Sequence, residues 1–310
     1  MNSIKKPLLS VSLITYNQEN YIAEALQSII NQKGNFELEI VIGNDASTDG
    51  TKEIIEKYRK IHPQVIKPIH HKENIGMMNN FIDTYRRCSG VYIAYLEGDD
   101  YWTDPLKLDK QISILIDNPL LSFCFTDVIK VDRNGRDLVK FSDYRGLDKS
   151  QIIPLKEIIE AKIRKIHIGT ILSKRYSFDF PQWYRNVLAG DFIFTIMLGD
   201  KGSVYYLNHV TCAYRKHEKS VTNRPFSYNY YKHLKEIYLK SDSFFENKYT
   251  HNFDKAINIL KAQYNLNKFQ QEKVFIIKLW RFFLLLFELP LLYISFRDLF
   301  WLLRKTKGTE

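Results

Sequence analysis

The chain has 310 residues, 45 % of them apolar and 26 % charged. That balance belongs to an ordinary folded protein and excludes disorder, a collagen repeat or an uninterrupted coiled coil; the length allows one large domain or two moderate ones, each with a real core. The net charge of +10 is local: residues 201–310 hold 19 basic and 9 acidic side chains, and residues 1–200 sum to zero. A neutral body with a basic tail calls for an acidic partner at the tail, either a membrane surface or a nucleic acid.

The three cysteines, Cys88, Cys124 and Cys212, are far apart and form no C-x-x-C pair. They read as small buried hydrophobes in a reducing compartment, not as a zinc or disulfide framework. The N-terminus leads into an apolar run of about seven residues, too short for a secretory signal, so a cytoplasmic location is expected.

The first 130 residues alternate strand and helix signals. Leu9–Thr15 is a short apolar, partly β-branched run that stops at Tyr16-Asn17-Gln18-Glu19-Asn20, after which Ile22, Leu26, Ile29 and Ile30 recur at helical spacing. Glu39–Gly43 predicts a second strand, followed by a turn and a helix over Thr51–Ile61. Val65–Ile69 predicts a third strand, Met78–Arg86 a helix, and Val91–Leu96 a fourth strand that runs out into Glu97-Gly98-Asp99-Asp100. Pro105 sits where a helix begins, with Leu106, Leu108, Ile112 and Leu115 as its apolar stripe. Such alternation predicts a parallel sheet covered on both faces. Ligands of these sheets bind outside the carboxyl ends of the strands, where each of these polar clusters falls. Residues 120–220 read as mixed, with strands near Leu121–Phe125 and Ser203–Leu207 and helices near Leu155–Ala161 and Asp191–Leu198.

The turn after the first strand has no glycine, so neither G-x-G-x-x-G nor G-x-x-x-x-G-K-[ST] is present. This argues against hydride transfer and against a Walker-type nucleotidase. Instead, three strand ends offer carboxylates and amides: Asn17 and Glu19, then Asn44 to Asp49, then Glu97, Asp99 and Asp100. Carboxylates gathered from separate strands repel unless a cation or a donor-rich ligand lies between them. Oxygen ligands of this kind suit Mg²⁺ or Mn²⁺ bridging to a diphosphate.

Three segments resemble, in order and spacing, the successive signatures of family 2 glycosyltransferases, with a match spanning residues 7–220. They are Val11-Ser12-Leu13-Ile14-Thr15-Tyr16-Asn17, Asn44-Asp45-Ala46-Ser47-Thr48-Asp49-Gly50-Thr51 and Glu97-Gly98-Asp99-Asp100-Tyr101-Trp102-Thr103-Asp104-Pro105. The resemblance implies a GT-A fold: an α/β domain over residues 1–220 built on a Rossmann-like mixed sheet, mostly parallel, with helices on both faces. A helical C-terminal appendage over 221–310 follows it. By the same resemblance Thr15, Tyr16, Asn17 and Glu19 line a nucleotide pocket, Asp45 reads a uracil ring, and Asn74-Ile75-Gly76 approaches the nucleoside. Asp99 and Asp100 match the carboxylates that hold the ribose and the metal, and Glu97 stands where the family often has the first Asp of its D-x-D.

Two further segments carry implied roles. Leu188-Ala189-Gly190-Asp191-Phe192 resembles the stretch that bears the catalytic base, which here is Asp191. Tyr214-Arg215-Lys216-His217 resembles a Tyr-Arg-x-His element whose His reaches the metal or the diphosphate, with Arg215 beside the leaving group, and His167-Ile168-Gly169-Thr170 resembles the strand that borders the acceptor pocket. The chain departs from the family pattern at Asn44, where an Asp is usual, and at Gly190, where many relatives have Glu. Asp49 before Thr51 and Asp191 after Gly190 also suit helix N-caps.

The implied activity is inverting transfer of a sugar from a nucleotide diphosphate, UDP by preference, to a hydroxyl of a glycan or lipid-linked acceptor. The implied setting is surface polysaccharide assembly in a bacterium. Mg²⁺ or Mn²⁺ would stabilise the leaving diphosphate. The competing reading is a sugar-nucleotide-binding, catalytically silent membrane scaffold; Asp99, Asp100, Asp191 and His217 together speak against it.

Tyr228–Phe245 and Phe253–Leu266 read as amphipathic helices. Residues 273–305 differ, with apolar runs interrupted by Glu288 and Pro290 and flanked by Lys273, Lys278, Arg281, Arg297, Arg304, Lys305, Trp280 and Trp301. Only 15 residues separate Arg281 from Arg297, fewer than the roughly 20 that span a bilayer. The segment is expected to lie in the headgroup region of an anionic membrane at its inner face, or to pack on protein, a second copy of the chain included. Basic residues that alternate with long apolar stretches do not line a polar groove, so nucleic acid is excluded as the partner.

Overall fold

The computed structural model describes residues 8–140, 147–160, 166–188, 190–218 and 227–271. In chain order it contains β1 (Leu8–Thr15), α1 (Ile22–Ile30), β2 (Glu37–Asn44), α2 (Thr51–Ile61), β3 (Ile66–His70), α3 (Met77–Arg87), β4 (Tyr92–Glu97), β5 (Tyr101–Trp102) and α4 (Lys107–Asp117). These are followed by β6 (Leu121–Val131), β7 (Asp137–Lys140), β8 (Gln151–Ile153), α5 (Leu155–Ile159), β9 (Leu172–Lys174), α6 (Gly190–Gly199), β10 (Ser203–Arg215), α7 (Tyr228–Phe244) and α8 (Thr250–Gln271). Contacts divide the chain into two units, one of residues 1–158 and 162–220, the other of 159–161 and 221–310.

In the first unit the strands form one sheet in the order β3-β2-β1-β4-β9-β6-β10-β5, with β7 on β6 and β8 on β10. The β3-β2-β1-β4 half is parallel throughout. The α/β architecture expected of this half is therefore realised, with helices on both of its faces. On one face Leu9, Val11, Leu13, Ile40, Ile42, Ala94 and Leu96 meet Ile22, Leu26 and Ile29 of α1, Ile55 of α2 and Leu108, Ile112 and Leu115 of α4. Burying each such side chain stabilises the fold by about 1.5–3 kcal/mol. The other face is aromatic: the Phe194 ring of α6 stands edge-on to Phe81 of α3 (centroids 4.9 Å apart) and to Tyr95 of β4 (5.2 Å).

The second half of the sheet departs from the sequence expectation. β9, three residues long, pairs antiparallel with both β4 and β6. β6 and β10 run well beyond Phe125 and Leu207 because they pair parallel with each other as far as Val131 and Arg215, through three shifts of register. These shifts break the two-residue alternation on which a sequence reading depends. α5 stops at Ile159, short of the expected Ala161, which lies outside the described residues.

In the second unit α7 and α8 run antiparallel, with Tyr231 stacked on Tyr264 (5.1 Å) and Tyr238 against Phe253 (6.2 Å). Buried Glu160 accepts from Asn252 Nδ2 (2.7 Å) and pairs with Lys255 (3.3 Å). No helix among the described residues is long and apolar enough to cross a membrane. The basic, aromatic segment 273–305 and the N-terminal residues 1–7 lie outside the described residues.

At the amino-terminal edge of the parallel strands, Glu39 is only 2 % exposed. It accepts from the Ser10 hydroxyl, the Ser89 N–H (2.6 Å) and hydroxyl (2.8 Å) and the Gly90 N–H (3.2 Å), and pairs with Lys67. Burial alone would raise its pKa, but the Lys67 ammonium and these donors outweigh burial and hold it at about 2, against an ordinary 4.5. A depressed folded pKa stabilises the fold fully above pH 4.5 and loses that contribution as pH falls toward 2. Glu39→Gln, whose amide turns hydrogens toward donors, is expected to destabilise by about 1–3 kcal/mol at pH 7. In urea titrations the gap from the unsubstituted protein should close as pH falls from 4.5 to 2.

Candidate functional site

Three parallel strands end side by side, and their polar turns are bonded to one another. After β1, Asn17 holds a left-handed backbone (φ +53°); its N–H donates to Ser47 Oγ (2.9 Å) and its Oδ1 accepts from the Thr48 N–H (2.8 Å). Glu19 Oε2 accepts from the Gly50 N–H (2.7 Å), and Thr15 Oγ1 donates to Gln18 Oε1 (2.8 Å). The Tyr16 ring is half exposed. Thr15, Asn17 and Glu19 thus join the turn after β1 to the turn after β2.

Asp45, at the end of β2, is buried, and its two oxygens accept from the Ile75 N–H (2.7 Å) and the Gly76 N–H (3.0 Å). Asn74 Oδ1 also accepts from the Gly76 N–H (3.2 Å). Gly76 sits at φ +85° and ψ 151°, a combination open in practice only to glycine. Asp45 therefore shapes the loop expected to approach a nucleoside. The departure at Asn44 has a local cause. Its Oδ1 accepts from the Ser47 hydroxyl (2.6 Å), and its Nδ2 faces His70 Nδ1 (3.1 Å), while His70 Nε2 faces Glu56 (2.9 Å). With the ring proton directed at Glu56, a carboxylate at position 44 would have no hydrogen to offer Nδ1.

The turn after β4 carries the densest charge. The Gly98 N–H donates to the Ile14 carbonyl (2.9 Å), and a Cβ at Gly98 would come within 2.5 Å of Gln18 Oε1 and 2.8 Å of Thr15 Oγ1, so only glycine lets this turn lie against the end of β1. Asp99 Oδ2 pairs with His217 Nε2 (2.9 Å). Asp100 Oδ1 accepts from the Arg215 N–H (2.8 Å). Its Oδ2 is buried without a hydrogen bond, 3.2 Å from His167 Nε2. The His167 ring is oriented by the Gly169 N–H, which donates to Nδ1 (3.2 Å) and leaves Nε2 toward Asp100.

Glu97, Asp100 and His167 bring ligand atoms within 4.8 Å of one another, close enough to hold a divalent cation. Burial first, and then the charges of Asp99, Asp100 and Asp191, push the Glu97 carboxyl up to about 8. An unbonded buried carboxylate oxygen beside a carboxyl that resists ionisation is the environment a hard cation relieves, so these residues fit Mg²⁺ or Mn²⁺. The sequence expectation paired Asp100 with His217. The geometry instead gathers Glu97 and His167 around Asp100 and keeps His217 on Asp99, because β9 pairs with β4 and so carries the turn that precedes it to the end of that strand. No spacing in the sequence links residue 167 to residue 100.

Asp191 opens α6 half-buried. Among the described residues its carboxylate takes no hydrogen bond, and its charge helps to raise Glu97. The Tyr184 hydroxyl fixes the start of this helix by donating to the Gly190 carbonyl (3.0 Å). At Gly190 the end of the Met78 side chain lies in the space that a side chain would take.

The chain is similar to known proteins in sequence and in fold. The family model for glycosyl transferase family 2 matches residues 10–177. The uncharacterized protein Rv1520 of Mycobacterium tuberculosis is 33 % identical over 219 residues, 71 % of this chain, and the chain spans 62 % of that relative's length. The candidate teichuronic acid biosynthesis glycosyltransferase TuaG of Bacillus subtilis is 34 % identical over 136 residues, 44 % of this chain and 52 % of its own. Among solved structures, S. aureus TarS residues 1–349 in complex with UDP-GlcNAc superposes with a TM-score of 0.62 at 19 % identity, covering 87 % of this chain and 76 % of that one. The mannosyltransferase PcManGT of Pyrobaculum calidifontis, in complex with GDP-Man and Mn²⁺, gives 0.54 at 19 % identity, covering 77 % and 65 %. These two likenesses establish the fold as GT-A.

Because Glu97 keeps its proton up to about pH 8, a cation must displace it. Mg²⁺ affinity measured by calorimetry is expected to strengthen by up to about tenfold per unit between pH 6.5 and 8 and to level off above. Glu97→Gln should bind Mg²⁺ more weakly and lose this pH dependence; a slope unchanged in the variant would remove Glu97 from the site.

Proposed function

The chain belongs to glycosyl transferase family 2, and from that membership we propose that it transfers a sugar, with inversion, from a UDP-sugar to a hydroxyl of a glycan or lipid-linked acceptor in surface polysaccharide assembly. The observation that carries this reading is Asp191, a half-buried carboxylate at the start of α6 that takes no hydrogen bond among the described residues. A carboxylate in that state is available to take a proton, which attack by a hydroxyl on a nucleotide-sugar requires. The naming of TarS with UDP-GlcNAc and of TuaG with teichuronic acid supports the donor and the setting.

In this scheme residues 1–220 form the transferase domain. Thr15, Tyr16, Asn17, Glu19, Asp45, Asn74 and Asp99 form the nucleotide-sugar pocket. Glu97 and Asp100 would hold Mg²⁺ or Mn²⁺, with His167 orienting Asp100 and His217 set beside the diphosphate through Asp99. A bound cation would supply positive charge for the leaving diphosphate. Asp191 accepts the acceptor's hydroxyl proton as its oxygen bonds to the anomeric carbon, and the opposite bond from that carbon to the diphosphate oxygen breaks, with UDP taking the electron pair. The basic, aromatic segment 273–305 is assigned to the cytoplasmic face of an anionic membrane, where a lipid-linked acceptor resides.

Two outcomes test the scheme. Asp191→Asn should leave UDP affinity within threefold and lower turnover of UDP-sugar roughly 10²- to 10⁴-fold; near-native turnover would overturn the assignment, and no turnover by the unsubstituted protein with any donor would favour the silent scaffold. In co-sedimentation with vesicles rich in anionic lipid, the full chain should pellet and a chain ending at residue 272 should remain in solution; equal pelleting of the two would sink membrane attachment through this segment.

A further inference from the structure

We infer that Arg215 is a positioning residue for the acidic turn after β4 and not a ligand of the diphosphate; the inference rests on the glycosyl transfer proposed above. Its side chain is 3 % exposed, and each guanidinium nitrogen already donates to a protein oxygen. Nε–H donates to the Asp99 carbonyl (3.0 Å), Nη1 to the Arg133 carbonyl (3.1 Å) with the Asp132 carbonyl at 3.5 Å, and Nη2 to the Glu24 carboxylate on α1. A guanidinium that grips a phosphate needs paired hydrogens directed outward. Here they point into the protein.

What the buried charge does is set by its neighbours. The guanidinium carbon lies 4.9 Å from the Tyr21 ring centroid and 5.2 Å from that of Tyr101. Tyr21 also stacks on His217 (centroids 5.2 Å apart), and His217 bonds to Asp99 Oδ2, so Arg215, Tyr21, His217 and Asp99 close a ring of contacts. The Arg215 N–H fixes Asp100 Oδ1 (2.8 Å) as well. One residue thus ties α1, the acidic turn and the turn at 132–135 together, and brings a fixed positive charge to Asp99 and Asp100. Lysine cannot replace it, because a single ammonium cannot reach acceptors spread around a planar fork. Glu24 is half exposed and reaches the acidic turn through Arg215, so it reports on Arg215 at a distance.

The test compares Arg215→Lys, Glu24→Gln and the double variant with the unsubstituted chain. In ligand-free protein, amide hydrogen exchange at Asp100 and Gly135 should accelerate at least fivefold in each single variant, while β1 and β2 stay within twofold; unchanged exchange at Asp100 and Gly135 overturns the inference. In EDTA, the preference of Arg215→Lys for UDP over UMP should stay within twofold of the unsubstituted protein, and a tenfold loss would make the guanidinium a diphosphate ligand and overturn it. With UDP present, Mg²⁺ affinity should weaken at least fivefold in both single variants, and the double variant should be no weaker than Arg215→Lys alone; a double variant weaker by the product of the two would overturn action through Arg215. An unsubstituted chain that binds neither UDP nor Mg²⁺ would sink the glycosyl transfer reading, and the exchange measurement would then decide the clamp by itself.

Discussion

Three carboxylates, Glu97, Asp99 and Asp100, leave one strand end within four residues, and their mutual repulsion is the constraint that the surrounding structure answers. Each is answered differently. Asp99 is paired with His217, and Asp100 takes a backbone hydrogen on one oxygen and faces His167 with the other. Glu97 has no such relief and keeps its proton. The protein can therefore fold before any cation arrives, at the cost of one carboxyl that ionises late. In cation-free protein that raised pKa makes Glu97 lose its favourable contribution as pH climbs from 4.5 through 8, opposite in sense to Glu39 at the far end of the strands.

The turns after β1 and β2 meet a different demand. Their carboxylates, Glu19, Asp45 and Asp49, all accept hydrogen bonds, and their backbone is fixed, with Asn17 (φ +53°) and Ala46 (φ +54°) both left-handed. Conformations of this kind cost on the order of 1–3 kcal/mol in residues other than glycine. They persist here because Ser47, Thr48 and Thr51 bond the two turns to each other. The two turns are held to each other by hydrogen bonds, and the acidic turn is balanced by charge.

The parallel half of the fold was legible in the sequence because its strands are short, apolar and separated by amphipathic helices, so period and length agree. The polar turns at their ends were legible for the same reason. Asp45, Asp99, Asp100 and Asp191 stand at strand or helix ends that the pattern alone locates. What escaped the sequence depends on pairing between distant segments. β9 is three residues long and has no pattern of its own, and with Trp102 and Gln111, which bond to the turn before it, it brings His167 to Asp100. β10 shifts register against β6, which hides its length. Arg215 fits a motif with its neighbours Tyr214 and His217, and the sequence pattern carries no sign of its acceptors at Glu24, Asp99 and Arg133.

β9 also has a consequence for how such a protein can diversify. Its three residues are the seam through which β4 meets β6, and the two halves join again where β5, next after the acidic turn, pairs with β10 and Arg215 bonds to Asp100. Chain that follows the seam can lengthen or shorten without altering the pairing of β1, β2 and β4. A lineage could vary that chain while the carboxylate-bearing strand ends stay as they are, provided the end of β10 still reaches the acidic turn.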